Sequence, residues 1–242
     1  MKLNNKILVI IPFKDKEKYL ISFIDYLKEH NELFDFIFID NASSDRSQEI
    51  LKLNKISFID SSYRLSYTKA LKIGLEYAKL SGYETIIEYG DFIKYKPISI
   101  LKLISAFKNF KCDLILGHGI NLKRKRIFQS QIFKFSNFLI TGKWVKGIDS
   151  KIKIFNKKIL NYVDTKPNYA LRPDDVTFLI LDKNNSVKTI NILLEPKTSR
   201  KSFWKVLSNY NEAFIWVLFM FFVIPFRKKI KNEKDSKNEG DI

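Results

Sequence analysis

The sequence predicts an α/β protein with a largely parallel central sheet and helices on both faces. Three observations predict it. Short apolar runs of strand length alternate with stretches of helical periodicity from residue 7 to about residue 120. That alternation requires parallel pairing through right-handed crossovers. Finally, 242 residues with 45% hydrophobic content supply one sizeable core rather than a disordered chain.

Residues 7–11, Ile-Leu-Val-Ile-Ile, form an unbroken apolar run, as a strand buried on both faces requires. Residues 16–29 place Tyr19, Leu20, Phe23, Ile24 and Leu27 on one helical face. A second strand is expected over 34–40, a short helix over 47–53 and a third strand over 56–59. The helix expected over 66–80 turns Ala70, Leu71, Gly74, Leu75 and Ala78 inward. A strand over 85–89, a helix over 98–107 after Pro97, and a strand over 113–117 follow. Beyond residue 120 the pattern loosens into a basic stretch (121–128), a helix (130–139), a strand (151–155), a helix (175–181) and a strand (187–193). The organisation read from this is a main domain over 1–202, an apolar aromatic helix over 203–230 and a charged, disordered tail over 231–242.

The charge-free stretch at 213–226 makes about 21 Å of helix, short of the ~30 Å hydrocarbon core. Arg227-Lys228-Lys229 follows at once. These features suit a helix lying on, or shallowly inserted into, an anionic membrane surface. The alternative is a core helix packed on the domain. The N-terminal apolar run is too short for a secretory signal, so the main domain is expected at the cytoplasmic face.

Lys+Arg 43 against Asp+Glu 26 gives a net charge of +17, which points to an anionic partner. A single cysteine, Cys112, excludes a disulfide framework and a thiolate-rich zinc site, and is read as packing. Two histidines, His30 and His118, exclude most His-rich metal centres. No glycine precedes Gly74, which excludes a dinucleotide fingerprint or phosphate-binding loop after the first strand. Basic residues are scattered and no recognition module is present, so nucleic acid is not an expected partner.

In an open parallel sheet, ligands sit beyond the carboxyl ends of the strands. The residues to read are therefore 12–16, 40–45, 60–66, 88–92 and 117–119. Asp40 ends a strand and Asn41-Ala42-Ser43-Ser44-Asp45 follows. A carboxylate there suits the N–H groups of a base or the hydroxyls of a ribose. It equally suits a turn with helix caps, since Ser and Asp are preferred caps. His118 falls at the ligand edge or in a loop, and His30 at a helix end. Lys123 to Arg126 is a solvated face or a guide for an anionic lipid. Trp144 stacks on a ligand or packs in the core.

These segments resemble the family 2 glycosyltransferases, inverting nucleotide-sugar enzymes with a single Rossmann-like domain. Ile7 to Pro12 resembles their opening strand ending in proline. Phe38-Ile39-Asp40-Asn41-Ala42-Ser43-Ser44-Asp45 is close to their Val-Val-Asp-Asn-Ala-Ser-Thr-Asp signature. Gly74-Leu75, Ala78 and Gly82 are similar to the glycine-containing helix and turn before their fourth strand. Residues 86–97 look like that strand with its acidic motif, and Asp174-Asp175 resembles their late Glu-Asp pair. The aromatic C-terminal helix is similar to that of polyprenyl-phosphate and surface-polysaccharide sugar transferases.

The resemblance implies nucleotide binding by Pro12, Phe13, Asp15, Asp40, Asn41, Arg64 and Asp91. It implies Mg²⁺ or Mn²⁺ at Asp91, and Asp175 as the base that deprotonates the acceptor, with Asp174 beside it. The implied donor is a nucleoside diphosphate sugar and the acceptor a lipid-linked or surface polysaccharide. Three departures accompany it. The triplet that aligns with the family's Asp-X-Asp is Tyr89-Gly90-Asp91, so tyrosine replaces the first aspartate. Glu88 points to the opposite face of a regular strand from Tyr89. Asp15 stands where the family has asparagine. A catalytically degenerate protein that serves glycan assembly as a binding or scaffold subunit is the alternative implied.

Overall fold

The computed structural model describes residues 7–90, 92–120, 138, 142, 144–148, 150–164 and 184–194. The elements among them run β1 (Ile7–Phe13), α1 (Glu17–Glu29), β2 (Asp35–Asp40), α2 (Ser47–Leu53), β3 (Phe58–Asp60), α3 (Tyr67–Leu80), β4 (Thr85–Tyr89), α4 (Ser99–Phe110), β5 (Leu114–Ile120), β6 (Ile152–Asn156), α5 (Lys157–Asp164) and β7 (Val187–Leu193). The seven strands form one sheet in the order β3-β2-β1-β4-β6-β5-β7. β1 pairs parallel with β2 and β4, β2 with β3, and β5 with β7. β6 runs antiparallel to both β4 and β5. The α/β class with a largely parallel sheet therefore holds, with one inserted reversed strand.

The period of two along β1 divides the interior. Val9, Ile11 and Phe13 join a core built with Leu20, Phe23, Ile24 and Leu27 of α1, Leu51 of α2 and Ile100, Leu103 and Ile104 of α4. Phe23 is its centre, stacked on Phe92 at 4.6 Å and on Tyr89 at 5.5 Å, and edge-on to Phe38 at 6.2 Å. On the other face, α3 approaches β1 so closely that a Cβ on Gly74 would lie 2.3 Å from Ile10 Cγ2. A glycine there lets helix and strand touch.

Asn156 ends β6 and caps α5, a helix that the sequence pattern did not mark. Its Oδ1 accepts from Ile159 N (3.2 Å), and its Nδ2 donates to Asp113 Oδ1 (2.8 Å). Asp113, at the start of β5, also accepts from Ser186 N (2.9 Å), Ser186 Oγ (3.1 Å) and Lys158 Nζ (3.3 Å). One carboxylate thus ties together the adjoining ends of three strands. Burial pushes its carboxyl up, but these hydrogen bonds outweigh that and hold it below the usual carboxylate range.

The chain divides into two compact units, Met1–Lys123 with Lys146–Lys197, and Arg124–Val145 with Thr198–Ile242. The sheet belongs to the first. In the second, Trp144 is exposed and stacks on Phe138 at 4.6 Å rather than packing in a core. The helix expected over 175–181, most of that over 130–139, the aromatic segment 203–230 and the tail 231–242 lie outside the described residues. Among the described residues no helix is long and apolar enough to cross a membrane.

Candidate functional site

The carboxyl ends of β1, β2 and β3 converge, and their loops are sewn to one another. After β1, Asp15 adopts φ 51°, and after β2, Ala42 adopts φ 54°. Both are left-handed, and the bonds between the loops hold them there. Asp15 N donates to Ser43 Oγ (2.9 Å), while Asp15 Oδ1 accepts from Ser44 N (2.7 Å). Lys16 N donates to Ser47 Oγ (2.9 Å) and Lys14 Nζ to the Ala42 carbonyl. Arg46 N donates to Glu17 Oε2 (3.0 Å).

Asp45 caps two helices. Its Oδ2 accepts from Glu17 N, the first residue of α1 (3.0 Å), and its Oδ1 from Ser47 N, the first of α2 (3.0 Å). Burial pushes its carboxyl up, but the bonds from Ser47 and Glu17 together bring it below the usual range. The second half of the Asp40–Asp45 segment is therefore a capping device, one of the two roles its residue types allowed.

Asp40 is fully buried. Its Oδ1 accepts from Ser43 Oγ and from Ser43 N (3.3 Å), and its Oδ2 from Gln48 Nε2 (2.6 Å). Its carboxylate is committed to its own loop, so its reach toward any ligand runs through the loop it holds. Asn41 exchanges two hydrogen bonds with Leu65: Nδ2 donates to the Leu65 carbonyl (2.9 Å) and Oδ1 accepts from Leu65 N (2.7 Å). That amide clamp draws the loop after β3 against the loop after β2 and fixes where exposed Tyr63 and Arg64 leave the chain. Pro12 and Phe13 are buried in β1. Phe13 meets Phe38 edge-on at 5.7 Å, and its carbonyl accepts from Asn41 N (2.9 Å).

The end of β4 has a different chemistry. Tyr89, in the position of the family's first aspartate, is buried in the aromatic core, and its hydroxyl donates to the Tyr95 carbonyl (3.0 Å). Glu88 lies on the opposite face, 1% exposed, with Oε2 3.1 Å from Lys153 Nζ and Oε1 accepting from Tyr67 Oη (2.9 Å). Lys151 Nζ stands 4.1 Å over the Tyr67 ring, and the Lys151 carbonyl accepts from Gly90 N (2.8 Å). A Cβ on Gly90 would meet Tyr67 Oη at 2.0 Å, so this arrangement requires glycine there.

The Glu88–Lys153 pair escaped the sequence reading because its partners lie 65 residues apart. The available signal was Lys153 itself, a lone charge inside the apolar run Ile152-Lys153-Ile154-Phe155. Hard divalent cations need open oxygen ligands. The described residues at this strand end do not fit that need, because Tyr89 offers no carboxylate and Glu88 is neutralised by Lys153. Among the described residues no three of His, Cys, Asp and Glu gather into a metal-holding group.

Asp91, Asp174 and Asp175 lie outside the described residues, as do Lys123 to Arg126. His118 is half-buried near the carboxyl end of β5, in register with Asn191. His30 ends α1, its Nδ1 2.8 Å from the Tyr26 carbonyl and its ring on Tyr26 at 4.4 Å. Cys112 is buried and its thiol is pushed up by desolvation, in keeping with packing.

Solved structures share this fold. Glucosyl-3-phosphoglycerate synthase from Mycobacterium tuberculosis, in complex with phosphoglyceric acid, superposes with a TM-score of 0.68 at 13% identity, covering 90% of this chain and 81% of that one. The same enzyme with Mn²⁺, uridine diphosphate and phosphoglyceric acid gives 0.65 at 13% identity, covering 90% and 78%. A mycobacterial protein gives 0.68 at 14% identity, covering 90% and 75%. No curated protein matches the chain in sequence. The family model described as glycosyl transferase family 2 matches residues 8–163, close to two thirds of the chain. By that match, and with the fold it requires, the chain belongs to glycosyl transferase family 2.

Proposed function

We propose that this protein transfers a sugar, with inversion, from a nucleoside diphosphate sugar to a lipid-linked or surface-polysaccharide acceptor at the cytoplasmic face of an anionic membrane. One observation carries the donor half: polar loops locked into one another at the carboxyl ends of β1, β2 and β3, where an α/β sheet binds its ligand, in a chain of this family. Asn41 and Arg64 face the nucleotide on the loops that Asp15 and Asp40 hold in shape. Pro12 and Phe13 form the floor, and the diphosphate is the part of the donor assigned to Asp91. The acceptor oxygen attacks the anomeric carbon in line as the diphosphate departs. Asp175, beside Asp174, takes the acceptor's proton. The acceptor half is supported by the net charge of +17 and by the aromatic segment followed by Arg227-Lys228-Lys229.

A second reading has its own observation. With Tyr89 in the core, the fold is retained while the acidic motif is incomplete, as in a scaffold subunit that has lost transfer chemistry. One experiment separates the two. Full-length protein is mixed with anionic liposomes carrying a polyprenyl phosphate and with labelled UDP-, GDP- or dTDP-sugars, then floated. Protein and label together in the lipid fraction are expected. Protein with the liposomes but no label favours the scaffold. Label in a soluble acceptor, or protein left behind, overturns the membrane and lipid assignments.

A further inference from the structure

Resting on the nucleotide-sugar reading, we propose that Tyr63, on the loop after β3, is the residue on which the donor's base stacks. A base is flat, and every base offers a π face to an open aromatic ring. The loops that follow β1, β2 and β3 (residues 14–16, 41–46 and 61–66) contain a single aromatic residue, Tyr63. The aromatic residues that flank them are committed elsewhere. Phe13 is buried, with its ring edge-on to Phe38 at 5.7 Å. Tyr67 is half-buried, donates to Glu88 and carries Lys151 over its ring. Tyr63 is 71% exposed. Neither its side chain nor that of exposed Arg64, next to it in the chain, makes a hydrogen bond, ion pair or ring contact with another described residue.

Exposure alone does not single the residue out, because lone apolar side chains are common on surfaces. What distinguishes Tyr63 is how the backbone beneath it is held. Two residues before it, Ser61 N donates to the Asp40 carbonyl (3.0 Å), and the buried Ser61 Oγ donates to the carbonyl of Tyr63 itself. Two residues after it, Leu65 is gripped through both its N–H and its carbonyl by the Asn41 amide. The arc 62–64 is thus pinned at both ends to the consecutive residues Asp40 and Asn41. A residue two positions from each anchor stays within about 7 Å of either along the chain. None of these bonds uses the Tyr63 phenol. The ring is therefore presented on a fixed support at the strand ends where such a sheet receives its ligand, with only two side-chain torsions to order on binding. A contact of this kind reads the flatness of a base and not its hydrogen-bonding edge.

The test is calorimetric binding, to the full-length protein in saturating Mn²⁺, of uridine, guanosine and thymidine and of their diphosphates. For whichever nucleotide binds, Tyr63→Ala is expected to weaken the nucleoside and its diphosphate by the same factor, about tenfold, which is 1.4 kcal/mol. Tyr63→Leu, which keeps apolar bulk without an aromatic face, should lose as much. Tyr63→Phe and Tyr63→Trp should bind within about twofold of the parent or more tightly. Equal melting temperatures for all four variants and the parent are expected, since the phenol supports no part of the fold. A Tyr63→Ala protein that binds like the parent, or that loses affinity for the diphosphate alone, overturns the inference. So does recovery by leucine or failure of phenylalanine to recover. Each of these leaves the nucleotide-sugar reading standing. If the parent binds neither nucleoside nor diphosphate, that reading falls and the inference falls with it.

Discussion

Asp45 serves two helices at once, and its loss is felt at both. Glu17 N and Ser47 N are orphan donors at helix starts, and each bonds to a different oxygen of this one carboxylate. Replacing a capping side chain by alanine typically costs ~1 kcal/mol. Asp45→Ala is therefore expected to lower stability by about 2 kcal/mol, with Asp45→Asn losing less because its amide oxygen keeps one acceptor. Urea denaturation of the two variants checks this, and equal midpoints for parent and alanine variant would refute the double cap. Single residues were the most legible level in the sequence. The segment from Asp40 to Asp45 reads as a polar loop at a strand end whose residue types allow both a ligand contact and a cap, and the structure shows the cap. What the chain does not display is the partner of each bond. Asp15 and Ser43 are 28 positions apart, and Asn41 and Leu65 are 24 apart. Only the register Phe13↔Asp40 and Asp40↔Asp60 brings them together.

At the scale of elements, the β4–β6 pair holds a charge inside the sheet. Glu88 and Lys153 face each other in register, and neither reaches solvent. Removing one partner of a buried pair strands the other, at a cost of about 3–5 kcal/mol, whereas replacing both by apolar residues of similar volume is often neutral. Lys153→Met alone should thus lower stability by about 3–5 kcal/mol, and Lys153→Met with Glu88→Leu should recover most of it. A double-mutant cycle in guanidinium measures the difference; additive losses would mean the two side chains do not depend on one another. Element types and most boundaries followed from periodicity, because strands buried on both faces and amphipathic helices imprint themselves locally. The direction of β6 did not, since an apolar run carries no mark of which neighbours it lies between. Nor did α5, which begins at the residue after β6 ends and has no separating turn.

For the whole molecule, acid is the sensitive direction. Asp45 and Asp113 are both held below the ordinary value of 3.8 in the folded chain. A carboxyl that is more acidic when folded contributes stability that is fully present above the unfolded value. That contribution is lost as pH falls through the folded value. The denaturant midpoint is therefore expected to be flat from neutral pH down to about 5 and to fall below about 4. Asp113→Asn should start lower at neutral pH and decline less steeply. A parent midpoint unchanged between pH 6 and pH 3, roughly the window these two groups govern, would show that neither matters to stability.

The position of β6 also dictates a history for each newly made chain. β4 and β5 follow one another in sequence, yet they are not partners, because β6 stands between them. As the ribosome delivers residues 114–120, both strands already exist, and each presents an open edge toward a slot whose occupant has yet to be synthesised. The clip made by Asp113 waits longer still, for Ser186, 73 positions on. Open edges are templates for pairing with another chain, and distant contacts form slowly. The interval between residue 120 and residue 156 is thus the period of greatest exposure to a neighbouring nascent chain. A helper that shields strand edges would act on this protein during synthesis rather than after release.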